Sequence, residues 1–379
     1  MKLAVVRQRY TPFGGAERFL ENALAALAER DVAITLYTRE WPQTPMQSVT
    51  TRIVDPFHIG GLWRDVAFAR AVCRALDRDR AELVQSHERL ACCDIFRAGD
   101  GVHAAWLDER LRDAPLVKRI AVRINPHHRY RLSIERRMYA SERLKAVVCN
   151  SVMVKDEIRE RFGVPDERLH VVYNAVDSGV YSPELRAHRS RTRERLGIPE
   201  SATLFLFVGS GFERKGVATA IDALAMLDSQ SHLVVVGRDK HLRRYADRAR
   251  ALGVAARVTL TGPQEDPRPY YGAADAFVLP TRYDPCPNAA LEAMACALPI
   301  VTSTKSGAAE LALAHDAGRV CPAGDAAGLA AHMRSLLDPA LRSRLGGNAR
   351  AAVLPLTSSA MTLKLLGLYR DLLGAQLRR

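Results

Sequence analysis

Residues 203–216 read TLFLFVGSGFERKG. The first six form a continuous apolar run, which is typical of a strand buried on both faces of a parallel sheet. The glycine-rich segment Gly209–Gly216 follows directly, and a helical pattern begins after it. Two cations and a flexible backbone at a helix start suit a diphosphate group. An exposed charged loop would fit the same residues, but the position after a buried strand favours an anion site.

The same alternation of short apolar runs and helical spacing continues over most of the chain. Helical spacing is clear over residues 16–27, 216–227 and 288–297. The predicted strands are Leu3–Val6, Val32–Tyr37, Ala146–Cys149, Val171–Tyr173, Thr203–Val208, Leu233–Val236, Val258–Thr261, Ala276–Leu279 and Ile300–Thr302. Strands that alternate with helices indicate parallel sheets with right-handed crossovers. We therefore predict an α/β protein with two Rossmann-like domains whose ligand sites face a central cleft.

The length of 379 residues is too great for one ordinary core and suits two domains. The alternation is interrupted at Ser182-Pro183, at the charged run 186–195 and at Gly197. We expect a first domain over residues 1–180 and a second over 181–357. We expect the C-terminal helix, about 358–379, to pack back on the first domain.

The composition indicates a globular protein that remains in the cytosol. Hydrophobic residues make up 48% and charged residues 26% of the chain, which excludes disordered and fibrous classes. No apolar run approaches the length of a membrane span, and Leu3–Val6 is too short for a signal-peptide core. The seven cysteines are odd in number and lack CxxC spacing, so we expect neither a disulfide framework nor a zinc site.

The positive charge is concentrated in one stretch. The net charge is +13, and residues 110–145 hold eleven Lys or Arg against three acidic residues. Nucleic acid, an anionic membrane surface, phosphorylated substrates or a solvated basic face would each account for it. Within the stretch, Leu116, Val117, Ile120, Ala121 and Ile124 share one helical face, and Lys118, Arg119 and Arg123 share the other. This pattern predicts either a helix that docks on an anionic membrane or an ordinary surface helix.

A loop and helix after the predicted strand 276–279 carry two carboxylates. Asp284 lies in the loop, a helix begins near Asn288, and Glu292 lies about one turn inside that helix. Free N–H groups at the helix start can hold a phosphate, while the carboxylates accept hydrogen bonds from sugar hydroxyls. A turn residue and a solvated helix face would be the alternative. The apolar neighbours Leu291 and Met294 argue against it.

Two glycine-containing segments are further candidates. Thr11–Gly15 lies between the first strand and its helix, where Gly14 and Gly15 would let the backbone approach a phosphate, although a tight turn explains them equally well. It is not a GxGxxG fingerprint, which argues against a dinucleotide oxidoreductase. Asp100 and His103 lie in a glycine-broken segment and could orient a hydroxyl or stabilise a leaving group, while a structural histidine is equally open.

No metal site is predicted. Asp77-Arg78-Asp79 resembles a metal-binding DxD motif, but it ends a helical pattern instead of following a strand. We therefore expect these residues to be surface charges. No cofactor beyond a co-substrate is expected.

Three motifs together resemble the retaining family-4 glycosyltransferases of the GT-B fold. They are Pro12–Gly15 with Arg18, Gly209–Val217, and the pair Asp284 and Glu292 in place of the family's Glu-x7-Glu element. The chain is similar over nearly its full length to the lipopolysaccharide core glucosyltransferases that act on inner-core heptose. Two departures concern the donor sugar: Asp284 stands where Glu is usual, and Pro287 where Gly is common.

The resemblance implies roles on the donor side. Glu292 would accept hydrogen bonds from the nucleotide ribose, and Asp284 would hold the donor sugar. Arg214 and Lys215 would neutralise the diphosphate. The remaining implied donor-binding residues are Gly14, Gly15, Gly211, Cys286, Asn288 and Ala289.

The resemblance also implies the reaction and its partners. Asp100 and His103 would lie on the acceptor side, with domain closure about a hinge near residues 175–200. The expected activity is metal-independent, retaining transfer of glucose from UDP-glucose to a glycolipid acceptor at the cytoplasmic face of the inner membrane. Two alternatives stay open: a nucleotide-sugar epimerase of the same fold, and a nucleic-acid-binding protein. Only the net charge suggests the latter, and aromatic residues for base stacking are few, at 6%.

Overall fold

The computed structural model describes residues 1–9, 32–41, 49–79 and 81–376. The chain forms two compact units: Met1–Ala175 with Ser358–Arg379, and Val176–Thr357. Each unit contains one parallel sheet connected through helices. The predicted α/β class with two Rossmann-like domains is therefore confirmed.

The first unit is built on a sheet with seven strands in its described part, in the order β3-β2-β1-β4-β5-β6-β7. All neighbouring strands are parallel. The central strands β1, β4, β5 and β6 are short and almost entirely buried, as in parallel sheets that are covered on both faces. Their bounds are β1 (Lys2–Val6), β2 (Ala33–Thr38), β3 (Val49–Ile53), β4 (Leu83–Ser86), β5 (Ile95–Ala98), β6 (Ala146–Cys149) and β7 (Leu169–Val171).

Helices connect these strands and cover the sheet. They are α1 (Gly60–Arg78), α2 (His103–Leu111), α3 (Leu116–Ile124), α4 (Pro126–Tyr139) and α5 (Val152–Phe162), with a 3-10 turn at Asp166–Arg168. The C-terminal helix, Ser358–Gln376, belongs to this unit. Its Leu365 and Tyr369 lie in the same buried core as Leu3 and Ile34. The C-terminal helix therefore packs into the same hydrophobic core as strands β1 and β2.

The second unit is built on a six-stranded parallel sheet in the order β10-β9-β8-β11-β12-β13. Its strand order reverses between β8 and β11, as in other doubly wound sheets. The strands are β8 (Thr203–Val208), β9 (Ser231–Val236), β10 (Val258–Gly262), β11 (Ala276–Leu279), β12 (Ile300–Ser303) and β13 (Gly318–Cys321).

The helices of the second unit alternate with these strands. They are α6 (Arg189–Leu196), α7 (Phe212–Lys215), α8 (Val217–Ala225), α9 (Leu242–Ala251), α10 (Arg268–Ala273), α11 (Asn288–Ala295), α12 (Ala308–Ala314), α13 (Ala326–Ser335) and α14 (Pro339–Val353), with 3-10 turns at Pro183–His188 and Ala255–Arg257.

The helix predicted over residues 216–227 is interrupted at its start. Gly216 has φ +83, which separates the four-residue helix α7 from α8. A β-carbon at Gly216 would lie 2.0 Å from the Pro280 carbonyl oxygen. Glycine is required there both for the backbone angle and for the close approach of the chain after β11. The helix predicted over residues 16–27 lies outside the described residues.

The cysteine prediction was wrong. A disulfide joins Cys73, on α1, to Cys92, in the segment between β4 and β5. The other five cysteines are buried thiols. The fold brings together two residues whose spacing carries no recognisable signal, because pairing depends on how α1 packs and not on a local motif.

Among the described helices, no single one is long and apolar enough to cross a bilayer. The helices Pro339–Val353 and Ser358–Gly374 pass that test only together, as a bent pair, by length and composition.

Substitution of Gly216 tests the close approach between Gly216, after β8, and Pro280, after β11. We expect Gly216→Ala to destabilise the second unit by about 2 kcal/mol or more and to lower its Tm by roughly 4–8 °C. Scanning calorimetry measures the change. Gly347→Ala is the control, because Gly347 lies inside α14 with nothing within 4 Å of an added β-carbon. That change should raise stability by about 0.5–1 kcal/mol. An unchanged Tm in Gly216→Ala would show that the loop has room for a side chain.

Candidate active site

Two loops meet at the carboxyl edge of the second sheet. β8 and β11 are neighbours, so the loops 209–216 and 280–287 leave the sheet side by side. The Arg214 carbonyl oxygen accepts hydrogen bonds from the Arg282 N–H at 2.8 Å and from the Thr281 hydroxyl at 3.0 Å. The main chain therefore fixes the cationic loop against the loop that carries Asp284.

Asp284 is buried between two cations. Its Oδ2 lies 3.1 Å from Lys215 Nζ and 3.4 Å from Arg214 Nη1. Burial alone would raise the pKa of Asp284, but Lys215 and Arg214 outweigh that effect and hold the pKa below its ordinary value. Two positive charges face one negative charge, which leaves the cluster with a net positive charge. The Arg214 side chain is 38% exposed against 13% for Lys215, so Arg214 is the cation more open to an incoming anion.

The glycine-rich loop is more ordered than its sequence indicates. Gly211 has φ +78 and precedes the short helix α7, so the loop itself contains a turn of helix. The Phe212 N–H donates to Asp239 Oδ2 at 2.8 Å, and the Arg238 N–H donates to Ser210 Oγ at 3.1 Å. The segment after β9 therefore braces the loop through the Asp239 carboxylate and the main-chain N–H of Arg238.

Glu292 lies in α11 and is buried with a tyrosine. The Tyr271 hydroxyl, from α10, lies 2.8 Å from Glu292 Oε2. The helix α11 starts at Asn288, and no side chain caps it at Pro287. The predicted donor-binding residues Asn288 and Ala289 thus form its first turn, and Cys286 is buried just before it.

In the first unit, two side chains, Asn150 and Arg89, hold the segment after β5. The Asn150 amide donates to the Gly99 carbonyl oxygen at 3.0 Å, and the Arg89 guanidinium donates to the Gly101 carbonyl oxygen at 2.9 Å. Gly101 adopts φ +68. Asp100 is exposed between them. The glycines thus permit a turn that presents Asp100 at the carboxyl edge of the sheet.

A buried carboxylate, Glu135 of α4, anchors the start of α2. It accepts hydrogen bonds from the N–H groups of His103 at 2.9 Å and Ala104 at 3.2 Å. Its partner is Arg89, whose Nε lies 3.0 Å from Glu135 Oε1. Sequence reasoning missed both residues, because Glu135 lies 32 positions from His103 in a stretch dominated by arginine.

The His103 imidazole is neutral. Burial lowers its pKa to about 3, with further lowering by nearby Arg89 and Arg131. Its Nε2 lies 3.2 Å from Nδ1 of His128, the third residue of α4. The Trp106 ring packs on both imidazoles. His103 therefore acts as a hydrogen-bonding group at neutral pH and not as a cation.

The basic stretch forms the helices α3 and α4. On α3, Leu116 and Val117 are 69% and 80% exposed. Arg119 and Arg123 are exposed on the same helix, and Lys118 is partly buried. Asp79 accepts a hydrogen bond from the Tyr37 hydroxyl and pairs with Arg52.

Three predicted residues cannot be placed. Gly14, Gly15 and Arg18 lie outside the described residues. Their roles therefore stay predictions, and the structure places the other candidates in two separate groups, one in each unit.

Two family models match the chain. The model of glycosyltransferase family 4 matches residues 13–179, and the model of the group 1 glycosyl transferases matches residues 188–352. The two matches follow one another along the chain and together include every predicted site residue of both units.

Curated proteins resemble most of the chain. The lipopolysaccharide glucosyltransferase WaaG of Escherichia coli is 26% identical over 323 residues, which are 81% of each protein. The lipopolysaccharide core biosynthesis glycosyltransferase LpsE of Rhizobium meliloti is 28% identical over 88% of each protein. A probable transglycosylase of Burkholderia thailandensis is 27% identical over 89% of this chain and 85% of its own.

Solved structures share the fold. The crystal structure of WaaG superposes with a TM-score of 0.81 at 23% identity, covering 96% of this chain and 98% of that one. Anabaena HepE in complex with UDP and glucose superposes with a TM-score of 0.74 at 18% identity, covering 98% and 99%. At these identities the likeness confirms the GT-B fold.

The low pKa of His103 predicts how stability depends on pH. The unfolded state binds a proton near pH 6.5, while folded His103 stays neutral down to about pH 3. The contribution of His103 to the free energy of unfolding is therefore present above pH 6.5 and is lost as the pH falls. Between pH 7.5 and 5.5, we expect His103 to lower the free energy of unfolding of the first unit by about 1.4 kcal/mol. His103→Gln should lack this part of the pH dependence.

Urea unfolding followed by tryptophan fluorescence measures it, since all three tryptophans (Trp41, Trp63 and Trp106) belong to the first unit. The control is His315→Gln, at an exposed position in the second unit. Equal pH dependence in wild type and His103→Gln would contradict a neutral, buried His103.

Proposed function

We propose that this chain, which belongs to the GT-B glycosyltransferases of group 1 and family 4, transfers glucose from UDP-glucose to a lipopolysaccharide core acceptor. The observation that carries the proposal is the cluster of Arg214, Lys215 and Asp284 at the edge where β8 and β11 meet. A net positive cluster at this edge suits the diphosphate of a nucleotide sugar.

The chemistry we infer is stabilisation of the leaving group. When the bond from the anomeric carbon to the diphosphate breaks, negative charge develops on the diphosphate oxygens. Arg214 is open to that charge, and Lys215 is held in place by Asp284. Preorganised cations in a partly desolvated site stabilise such a transition state without further reorganisation. Retention of the anomeric configuration and independence of metal ions are what the family resemblance implies.

The donor and acceptor are inferred from relatives. HepE of Anabaena was crystallised with UDP-glucose, which supports a UDP-sugar donor here. WaaG and LpsE are described as lipopolysaccharide glycosyltransferases, which supports a lipopolysaccharide acceptor. On the acceptor side we place exposed Asp100 and neutral His103 of the first unit. A neutral imidazole can exchange hydrogen bonds with a sugar hydroxyl.

The proposal extends to the membrane surface. A lipid-linked acceptor lies at a bilayer, and α3 exposes Leu116, Val117, Ile120 and Ile124 beside Arg119 and Arg123. Exposed aliphatic side chains can enter the headgroup boundary while arginines pair with anionic lipids. We infer a peripheral enzyme on the cytoplasmic face of the inner membrane.

Transfer assays test the reaction. We expect wild-type protein to release UDP from UDP-glucose only when deacylated lipopolysaccharide core is present, and EDTA to leave the rate unchanged. Arg214→Met should lower kcat about 100- to 1000-fold, because one preorganised charge is lost from the transition state. The control is Lys364→Met, an exposed cation of the C-terminal helix, which should keep the wild-type rate.

Two results would overturn the assignment. UDP-glucose turnover without acceptor, with a changed sugar as product, would favour an epimerase. No thermal stabilisation by UDP, GDP, ADP or CMP would contradict a nucleotide-sugar site, since a ligand that binds only the folded state raises Tm.

Vesicle binding tests the membrane surface. A triple variant should bind anionic vesicles about 100-fold more weakly when serine replaces Lys118, Arg119 and Arg123. Each lost positive charge removes about 1 kcal/mol of binding free energy. Neutral vesicles should bind both proteins weakly. The matched control replaces Lys240, Arg243 and Arg244, an exposed set with the same charge in the second unit. If both triple variants lost vesicle binding equally, net charge alone would account for the binding, and docking through α3 would be refuted.

A further inference from the structure

Glu292 is held by a residue that no sequence motif includes. Tyr271, on α10, is fully buried, and its hydroxyl lies 2.8 Å from Glu292 Oε2. Glu292 is itself buried. A buried carboxylate is costly unless donors satisfy it, so this contact contributes to keeping Glu292 in its position.

The direction of the hydrogen bond follows from the titration of Tyr271. Burial raises the pKa of Tyr271 well above its ordinary value, and the neighbouring charge of Glu292 raises it further. The hydroxyl therefore keeps its proton over the whole physiological range. It therefore donates a hydrogen bond to Glu292. The Ala289 carbonyl oxygen, a second acceptor, lies farther from the hydroxyl, at 3.3 Å.

The tyrosine ring is fixed on several sides. Tyr181 packs edge-on against it at 5.5 Å between centroids, and Phe277 of β11 stacks parallel at 6.3 Å. The next residue, Gly272, has no room for a side chain: an added β-carbon would lie 1.9 Å from the Leu185 carbonyl oxygen. The helix α10 thus packs closely on the turn Pro183–His188, and this packing holds the Tyr271 ring in one place.

We propose that Tyr271 is a positioning residue that presents the Glu292 carboxylate to the ribose hydroxyls of the donor nucleotide. This rests on the proposed nucleotide-sugar function. A carboxylate already oriented in the free protein loses less side-chain freedom on binding, and its geometry matches a ribose diol more closely. Tyr271 touches neither the sugar nor the diphosphate in this scheme, so its effect should be confined to recognition of the ribose.

The experiment compares UDP with 2′,3′-dideoxy-UDP by calorimetry. Wild-type protein should bind UDP more tightly, because only UDP offers hydroxyls to Glu292. Tyr271→Phe keeps the ring and removes the donor, and it should weaken UDP binding about fivefold to tenfold. Binding of 2′,3′-dideoxy-UDP should be unchanged. In a Glu292→Gln background, Tyr271→Phe should weaken UDP binding no further, as expected for two residues that act through one contact.

Tyr270→Phe is the matched control. Tyr270 is the preceding residue on α10, is also buried, and packs under the Arg195 guanidinium. It should bind both nucleotides as wild type does.

The outcomes separate the two proposals. Equal weakening of UDP and dideoxy-UDP in Tyr271→Phe would show a purely structural role and overturn the inference. So would an unchanged affinity for UDP in that variant. If wild-type protein bound neither nucleotide, the proposed function itself would fail, and this inference would fall with it.

Discussion

The parallel pairing of β8 with β11 is the constraint on which the geometry of the Arg214, Lys215 and Asp284 cluster depends. Parallel neighbours end at the same edge of a sheet, and here the strand order reverses between them, so the two following loops meet. That meeting allows Asp284 to be buried with Lys215 and Arg214 already at its carboxylate. A carboxylate buried without partners would cost several kcal/mol. Removing the pairing would therefore affect the charge cluster and the loop together.

The first unit also contains a buried carboxylate, and different residues satisfy it. Glu135 is buried, and its oxygens are satisfied by Arg89 and by the main-chain N–H groups at the start of α2. The same arrangement fixes His103, whose neutral ring lies against His128. In both units a buried ionic contact holds a loop at the carboxyl edge of the sheet. Ionic contacts thus position the loops that carry the candidate chemistry in both units.

Sequence reasoning predicted what is local and apolar. The bounds of β6, β8 and β11 agree with the predicted strands, because continuous apolar runs identify buried parallel strands. It did not identify β3, β4, β5 or β13. β3 is an edge strand with mostly exposed side chains, and the other three include polar residues, such as the buried Arg97 of β5. The loop motifs were recognisable because their residues are contiguous. Tyr271, Glu135 and the disulfide were not, because their partners lie 19 or more positions away and are brought together only by packing.

Asn125 ends α3 and also caps α4, where its side chain accepts hydrogen bonds from the N–H groups of His127 and His128. The exposed helix and the helix that anchors His103 therefore share one residue with no linker between them. The helix α4 has 14 residues, and Glu135 lies on it about 15 Å along the axis from Asn125. A contact that reorients α3 would therefore act directly on α4. Because Glu135 of α4 accepts from the N–H groups of His103 and Ala104, the same contact would reach the start of α2.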